Sequence, residues 1–201
     1  RLKYFLDLMN IKHIRLNMEA DIVCSKMSCL GLVDLVISED MDHLTSGTKI
    51  LLRDFNNKNN YVTVYNLNTM LETLNFCEDK WINLCILFGC DYVSRIRGMG
   101  TKTSYNCIKN SEDNGNIKTI IDSITKSKNL LVPDDYLNKV NKAYTIFKNN
   151  IDIGITEEFF QSNNDIFDNQ IEVVRNYLQK YTNFTDLKIK NRIKNIFGYT
   201  I

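Results

Sequence analysis

Leu32-Val33-Asp34-Leu35-Val36-Ile37-Ser38-Glu39-Asp40-Met41-Asp42-His43-Leu44 carries both a fold signal and a chemical one. Residues 32–37 form a short apolar run rich in β-branched side chains, which predicts a buried strand. Two aspartates follow, and Asp40 to Leu44 begins a helix or turn. In an α/β sheet, functional groups gather beyond the carboxyl ends of the parallel strands, so Asp40 and Asp42 are expected there. On backbone that is still extended, positions i and i+2 face the same way.

Working outward, residues 2–9 have helical periodicity and His13 to Leu16 reads as extended. Residues 19–30 read as a helix, with Ile22, Val23, Met27 and Leu30 on one side and a stop at Gly31. Ile50–Arg53 and Tyr61–Tyr65 alternate as strands around a polar loop at 56–60, a hairpin pattern. Strands alternating with helices predict a parallel sheet with crossover helices. From residue 67 the pattern is helical, over 68–74, 78–88, 101–109, 116–127, 134–149, 169–180 and 185–197. The stretch 89–100 is turn-rich, and the Asn-rich patch at 110–116 reads as a loop. The expected fold class is therefore α/β over 1–88 followed by an all-α region over 89–201, with no internal repeat.

At 201 residues the chain suits one domain, or one domain with an appendage. A net charge of +1 announces no nucleic-acid binder, so any phosphate-binding surface must come from local placement of Lys and Arg. The six cysteines form no C-x-x-C pair and there are only two histidines, which argues against zinc. The cysteines are expected to be small buried hydrophobes in a reducing compartment. No apolar run approaches the roughly 18 residues of a membrane span, and no secretory signal is visible. The expected location is intracellular, in the nucleus or at a cytoplasmic viral replication site. The sequence opens inside a helical pattern without an initiator Met, so a fragment or truncated product is expected.

Three acidic groups carry the chemistry: Glu19 with Asp21, Asp40 with Asp42, and Asp91 directly after an apolar helix. Glu19 and Asp21 would lie about 200° apart if both were helical, so they converge only if one sits in the irregular turn before the helix. Clustered carboxylates raise one another's pKa unless a cation neutralises them. Hard oxygen ligands in that number suit Mg²⁺ or Mn²⁺. Two such ions about 4 Å apart can activate a water and stabilise both in-line oxygens of a phosphodiester. The plainer alternative is that each pair merely caps a helix N-terminus. Asp40-Met41-Asp42 also invites an aspartate-based phosphatase reading. That chemistry expects Thr or Val two residues after the second Asp, where Leu44 stands.

Ser94-Arg95-Ile96-Arg97-Gly98-Met99-Gly100-Thr101-Lys102-Thr103 is the second feature. Its glycines let backbone N–H groups approach a ligand, and a helix beginning near Thr101 favours phosphate at its N-terminus. Lys102 opposes the helix dipole there, which a phosphate would offset. The arrangement resembles a helix–hairpin–helix, which grips a strand's backbone without reading sequence. A simple glycine turn between packed helices is the alternative. Lys139, Lys142, Lys148, Lys188, Lys190, Arg192 and Lys194 read mostly as solvated helix faces.

Together, Glu19-Ala20-Asp21, Ser38 to Leu44, Asn83 to Tyr92 and Ile96 to Lys102 resemble the flap-endonuclease family, of the xeroderma-pigmentosum-G type, in order and spacing. Leu8 to Ile11 and the helices at 171–196 extend the resemblance over nearly the whole chain. It implies a PIN-like α/β core, incomplete here, and Mg²⁺-dependent hydrolysis of branched DNA at the base of a 5′ flap, in replication and repair. It further implies that Glu19, Asp21, Asp40, Asp42 and Asp91 are catalytic metal-site carboxylates for two Mg²⁺, which Mn²⁺ can replace. Arg97, Gly98, Gly100, Thr101 and Lys102 would belong to the DNA-holding hairpin, which in the family also binds K⁺ through backbone carbonyls. A related 5′ exonuclease or repair junction endonuclease shares these motifs, and a non-catalytic PIN-like DNA-binding module is the alternative of another class. The short 45–66 region favours the flap cutter.

The sequence departs from the family in four respects. The usual Glu-Ala-Glu ends here in Asp21, one methylene shorter, and Arg95 stands where a Ser often precedes the apolar residue. No sliding-clamp motif closes the chain, so that partner is not expected, and a monomer is. The family's N-terminal half, with further carboxylates and the flap-threading helices, has no counterpart in these residues. The 201-residue chain alone is therefore expected to bind metal weakly and to have little activity. Cleavage of a 5′ flap by the purified chain at rates typical of a complete enzyme would contradict this.

Overall fold

The computed structural model describes residues 2–54, 61–128, 130–148, 150–160 and 170–197. They form two compact units, Met18–Ile155 and the described residues of 1–17 with 156–201.

The larger unit begins with α2, Ala20–Leu30, which follows the amino-terminal helix α1, Leu2–Leu8. Gly31, at φ 75°, ends α2 in the left-handed conformation, and Leu32 N–H donates to Met27 O at 2.9 Å. This Schellman-type stop uses Leu32 for the helix end, so the expected strand 32–37 shrinks to β1, Val36–Ile37. β1 pairs in parallel with β2, Ile50–Arg53, with Val36 opposite Leu51. β2 pairs antiparallel with β3, Thr63–Asn66, Leu51 opposite Tyr65. Both expectations therefore hold, parallel on one side of β2 and hairpin on the other. The loop expected at 56–60 lies outside the described residues. The extended piece at His13 to Leu16 joins no sheet among the described residues. Between β1 and β2 lies α3, Asp42–Thr45.

The helices α4, Leu67–Leu74, and α5, Glu78–Phe88, follow β3. Asn66 caps α4, its Oδ1 accepting from Thr69 N–H at 3.1 Å. Next come α6, Thr101–Lys109, α7, Ile117–Lys128, and α8, Tyr136–Lys148. α5 supplies Ile82, Leu84, Ile86 and Leu87 to a large apolar core shared with Ile108, Ile120, Val140 and Phe147. A smaller core under the sheet contains Val36, Leu44, Leu51 and Leu67. Trp81 of α5 donates its indole N–H to Leu44 O at 3.1 Å and so holds α3 against α5.

Lys148, expected on a solvated face, instead meets Asp79 at 2.6 Å and Glu78 at 3.7 Å, tying α8 to α5. The cysteines also depart from expectation. All six are free, but Cys29 and Cys77 are exposed and the other four only partly buried.

In the other unit α1 packs against α9, Gln170–Tyr181, which packs against α10, Asp186–Phe197. Phe5 stacks on Tyr177 at 5.0 Å, over a core of Val174, Leu178, Ile189 and Ile193. A single 3-10 turn spans Glu157–Phe160.

Leu87 is fully buried at the centre of the large core. Leu87→Ala should lower the unfolding free energy by about 2–5 kcal/mol in urea denaturation. A loss below about 1 kcal/mol would show that the packing around α5 is not what holds this unit.

Candidate metal centre and DNA interface

The first acidic pair is placed by a helix start. Glu19 is the N-cap of α2, with φ −63° and ψ 130°, while Asp21 lies in the first helical turn. Glu19 is thus outside the helix, which is the condition under which the two side chains need not diverge. Tyr92 donates its hydroxyl to Glu19 Oε2 at 3.1 Å. Asp21 turns to His43, its Oδ1 3.2 Å from Nε2.

Asp40 and Asp42 follow the carboxyl end of β1, but not on extended backbone. Ser38 Oγ accepts from Asp40 N–H at 3.1 Å, and Asp40 Oδ1 accepts from Asp42 N–H at 2.9 Å. These two nested turns carry the chain from the strand into α3, with Asp42 as its first residue. The expectation that the pair shares a face through i, i+2 alternation is therefore replaced by turn geometry.

Asp91 sits at the tip of a tight turn closed by Cys90 N–H to Val93 O at 2.9 Å and Val93 N–H to Cys90 O at 3.2 Å. Gly89 leads into it at φ 94°, and a Cβ there would lie 3.2 Å from Arg95 N, so a side chain at 89 would displace the turn.

The electrostatics link these segments. The Asp42 carboxyl is pushed above the usual carboxylate range, first by burial, then by the charges of Asp40 and Asp91. The Tyr92 hydroxyl is pushed up to about 12, by burial, by its bond to Glu19, and by the charges of Glu19, Asp42 and Asp91. It remains a neutral donor. Among the described residues, no three of His, Cys, Asp and Glu stand close enough together to hold an ion. Glu19 and Asp40 each accept from a protein donor, and Asp21 lies against His43. The donor set nevertheless fits a hard cation. It is made of carboxylate oxygens, and the charges of Asp40 and Asp91 act on Asp42.

Beyond Asp91 the hairpin alternates by burial. Ile96 and Met99 are 3% and 1% exposed and anchor it in the large core, while Arg95 and Arg97 face solvent. Gly98 has φ 87°, and a Cβ there would meet Leu130 Cδ2 at 2.9 Å. Gly100 is different, with open space around it. It is the N-cap of α6 and carries no side chain to accept from the first-turn N–H groups. Thr101 and Lys102 begin this helix, both exposed. A cavity of about 260 Å³ beside the hairpin is lined in part by Asp91, Arg95, Arg97, Tyr136 and Lys139. A larger one, about 660 Å³, lies along α6 and α7 and includes none of the five carboxylates.

Residues 10–91 match the family model described as the XPG I-region, which spans all five acidic residues. Flap endonuclease 1 of Cryptosporidium muris is 33% identical over 213 residues, covering 98% of this chain and 43% of its own length. The chain belongs to the flap-endonuclease family. The mixed α/β, helix-rich fold with its small sheet is also the family's. Flap endonuclease-1 from Methanococcus jannaschii superposes with a TM-score of 0.70 at 21% identity, over 98% of this chain and 56% of that one. The Holliday junction-resolving enzyme GEN1, solved with product DNA, Mg²⁺ and Mn²⁺, gives 0.70 at 19% identity, over 95% and 53%. This flap-endonuclease-family chain thus spans less than half the length of the Cryptosporidium relative.

Two side chains at the site, Tyr92 and His43, had no role assigned from sequence. Tyr92 directly follows Asp91, and His43 follows Asp42, so adjacency to an acid was the available signal. Their partners are 73 and 22 residues away in sequence and emerge only on folding.

The raised Asp42 gives a signed prediction. The folded protein holds that proton more tightly than the unfolded chain, so stability falls as pH rises from the ordinary value of 3.8 through the raised one. Asp42→Asn should therefore raise the urea midpoint at pH 7 in EDTA, with the gain fading as pH is lowered toward 3.8. A variant less stable than wild type at pH 7 would contradict the repulsion.

Proposed function

We propose that this chain forms the carboxylate-bearing and DNA-holding parts of a structure-specific 5′ flap endonuclease, which hydrolyses DNA phosphodiesters at single-strand/duplex junctions in replication and repair. Residues 1–88 are the C-terminal part of the PIN-like nuclease core, and 89–201 the DNA-binding helical region. The observation that carries this reading is the charge coupling of Asp42 with Asp40 and Asp91 at the end of β1, directly before a hairpin and an α6 N-terminus without a side-chain cap.

Glu19, Asp21, Asp40, Asp42 and Asp91 would hold two Mg²⁺, with Mn²⁺ as substitute. Bound there, the ions would activate a water and stabilise the charge that develops on a phosphodiester. Tyr92 keeps Glu19 oriented by its hydrogen bond, and burial with nearby negative charge keeps its own proton in place. The first-turn N–H groups of α6 and the exposed Arg97 and Lys102 offer charge and donors to backbone phosphates without reading bases. Gly98 and Gly100 let that backbone approach, Thr101 opens the helix, and K⁺ would sit at the hairpin carbonyls. GEN1, solved with product DNA, Mg²⁺ and Mn²⁺, supports this choice of ligands by its shared fold.

The test is cleavage of a labelled double-flap DNA by the gene product from which this chain comes, in Mg²⁺ and then in EDTA, beside Asp91→Ala. Cutting at the flap base that needs Mg²⁺ and is abolished in the variant is expected. Junction binding without cutting would favour the non-catalytic module. Arg97→Ala and Lys102→Ala should weaken binding evenly across sequences, and each should reduce the salt slope by about 1. An unchanged slope would remove those side chains from the interface.

A further inference from the structure

His43 is 2% exposed and Ser25 is fully buried, yet they end on a side chain that is open to solvent. His43 Nε2 lies 3.2 Å from Asp21 Oδ1, where the histidine side chain is 1% exposed and the aspartate 64%. On the other side of the ring, Nδ1 lies 2.9 Å from Ser25 Oγ. Ser25 Oγ also lies 2.8 Å from the Asp21 backbone oxygen. Asp21 and Ser25 are one turn apart on α2, so both meet the same imidazole.

We propose that Ser25 and His43 form a buried hydrogen-bond relay that fixes the Asp21 carboxylate at the acidic site, which makes His43 a positioning residue for cation binding. This inference rests on Asp21 being a member of that site. An ionised carboxylate can only accept, so Nε2 carries the proton that points at Asp21. Nδ1 is left to Ser25, whose single hydroxyl proton goes either to Nδ1 or to the Asp21 backbone oxygen; when it goes to the oxygen, Nδ1 itself must donate to Ser25 Oγ. With both nitrogens engaged, the buried ring is satisfied and cannot turn without orphaning one of them. The direction of the N–H toward Asp21 is thereby fixed from inside.

The same three residue types make a nucleophilic triad in hydrolases, but here the polarity is reversed. The serine is the buried end, out of reach of any substrate, and the carboxylate is the exposed end. A histidine that served packing alone would not need its outward N–H aimed at a surface carboxylate. The relay also bridges the first two acidic segments, since His43 follows Asp42 in α3 while Asp21 is on α2. Asp21 is one methylene shorter than a glutamate, so its carboxylate has fewer places to go, and a fixed donor selects among them. Metal-ligand side chains depend on such partners by about 10- to 100-fold in affinity.

The test is Mn²⁺ titration of the chain, read by paramagnetic broadening of its NMR signals. The variants are Asp21→Ala, His43→Ala, His43→Gln, Asp91→Ala and the Asp21→Ala/His43→Ala double, each checked for folding by circular dichroism. His43→Ala should weaken Mn²⁺ binding about tenfold or more, and His43→Gln, whose amide can donate in place of Nε2, should recover most of it. The double variant should bind no more weakly than Asp21→Ala. If His43→Ala does not fold, the ring nitrogen signals of His43 in wild type and Asp21→Asn decide. An Nε2–H signal that shifts with Asp21 supports the relay, and one that does not overturns it. A His43→Ala loss of the same size in the Asp21→Ala background, or no recovery with Gln, would reduce His43 to packing and overturn the inference. Loss of binding in Asp91→Ala but not in Asp21→Ala overturns it too, while leaving the acidic site standing. Binding indifferent to both acids overturns the site reading itself.

Discussion

Negative charges held together without a counter-charge are costly, and this chain spends much local structure on holding them. Asp40 and Asp42 share one turn and Asp91 comes from a segment far along the sequence, yet burial and then the charges of Asp40 and Asp91 raise the pKa of Asp42. Left to relax, such groups would separate. They are held instead by backbone devices that leave little freedom. Ser38 and Asp40 fix two successive turns after β1, and Gly89 with the Cys90–Val93 pairing fixes the turn that carries Asp91. The two cores beneath are packed, with Leu44 and Leu51 fully buried in one and Ile86 and Leu87 in the other. Repulsion of this kind, held by a packed scaffold, is what a bound cation would relieve.

The same scaffold orients the second functional element. α5 ends at Phe88, one residue, Gly89, separates it from the turn that starts at Cys90, and the hairpin that follows is pinned by Ile96 and Met99. Burial of those two side chains leaves Arg95 and Arg97 on the outside and delivers the N-terminus of α6 to solvent. Acid and base are thus fixed relative to each other by one continuous stretch of chain, 89–102. In the proposed function, a strand gripped at the hairpin would be held at a set distance from Asp91, which is what a cutter guided by structure rather than sequence requires.

Much of this was legible in the sequence, for physical reasons that differ by element. α5 and α6 were readable to the residue, because periodicity set their extent and Gly89 and Gly100 bound the turn-rich stretch between them. The strand at 32–37 was overextended, because the Schellman stop at Gly31 takes Leu32 and β-propensity does not register it. Glu19 and Asp21 could be named but not aimed, since only the extended φ/ψ of Glu19 reveals that it lies outside α2. The Asp40–Asp42 geometry was legible only on the condition of extended backbone, which side-chain-to-backbone bonds replace with two turns. Lys148 looked like a solvated charge because its partners, Asp79 and Glu78, lie on another helix. His43 and Ser25 were invisible for the same reason: two polar side chains acquire a joint role only when folding buries them together.

The central claim is that the acids gathered at the end of β1, with Asp91, are one cation site. Anomalous diffraction from crystals of this chain soaked in Mn²⁺ tests it most directly, because it locates the ion without reference to activity. The predicted result is manganese density within bonding distance of Asp42 and Asp91 carboxylate oxygens, absent from Asp91→Ala crystals treated alike. Density elsewhere, with none between these acids at saturating Mn²⁺, would contradict it.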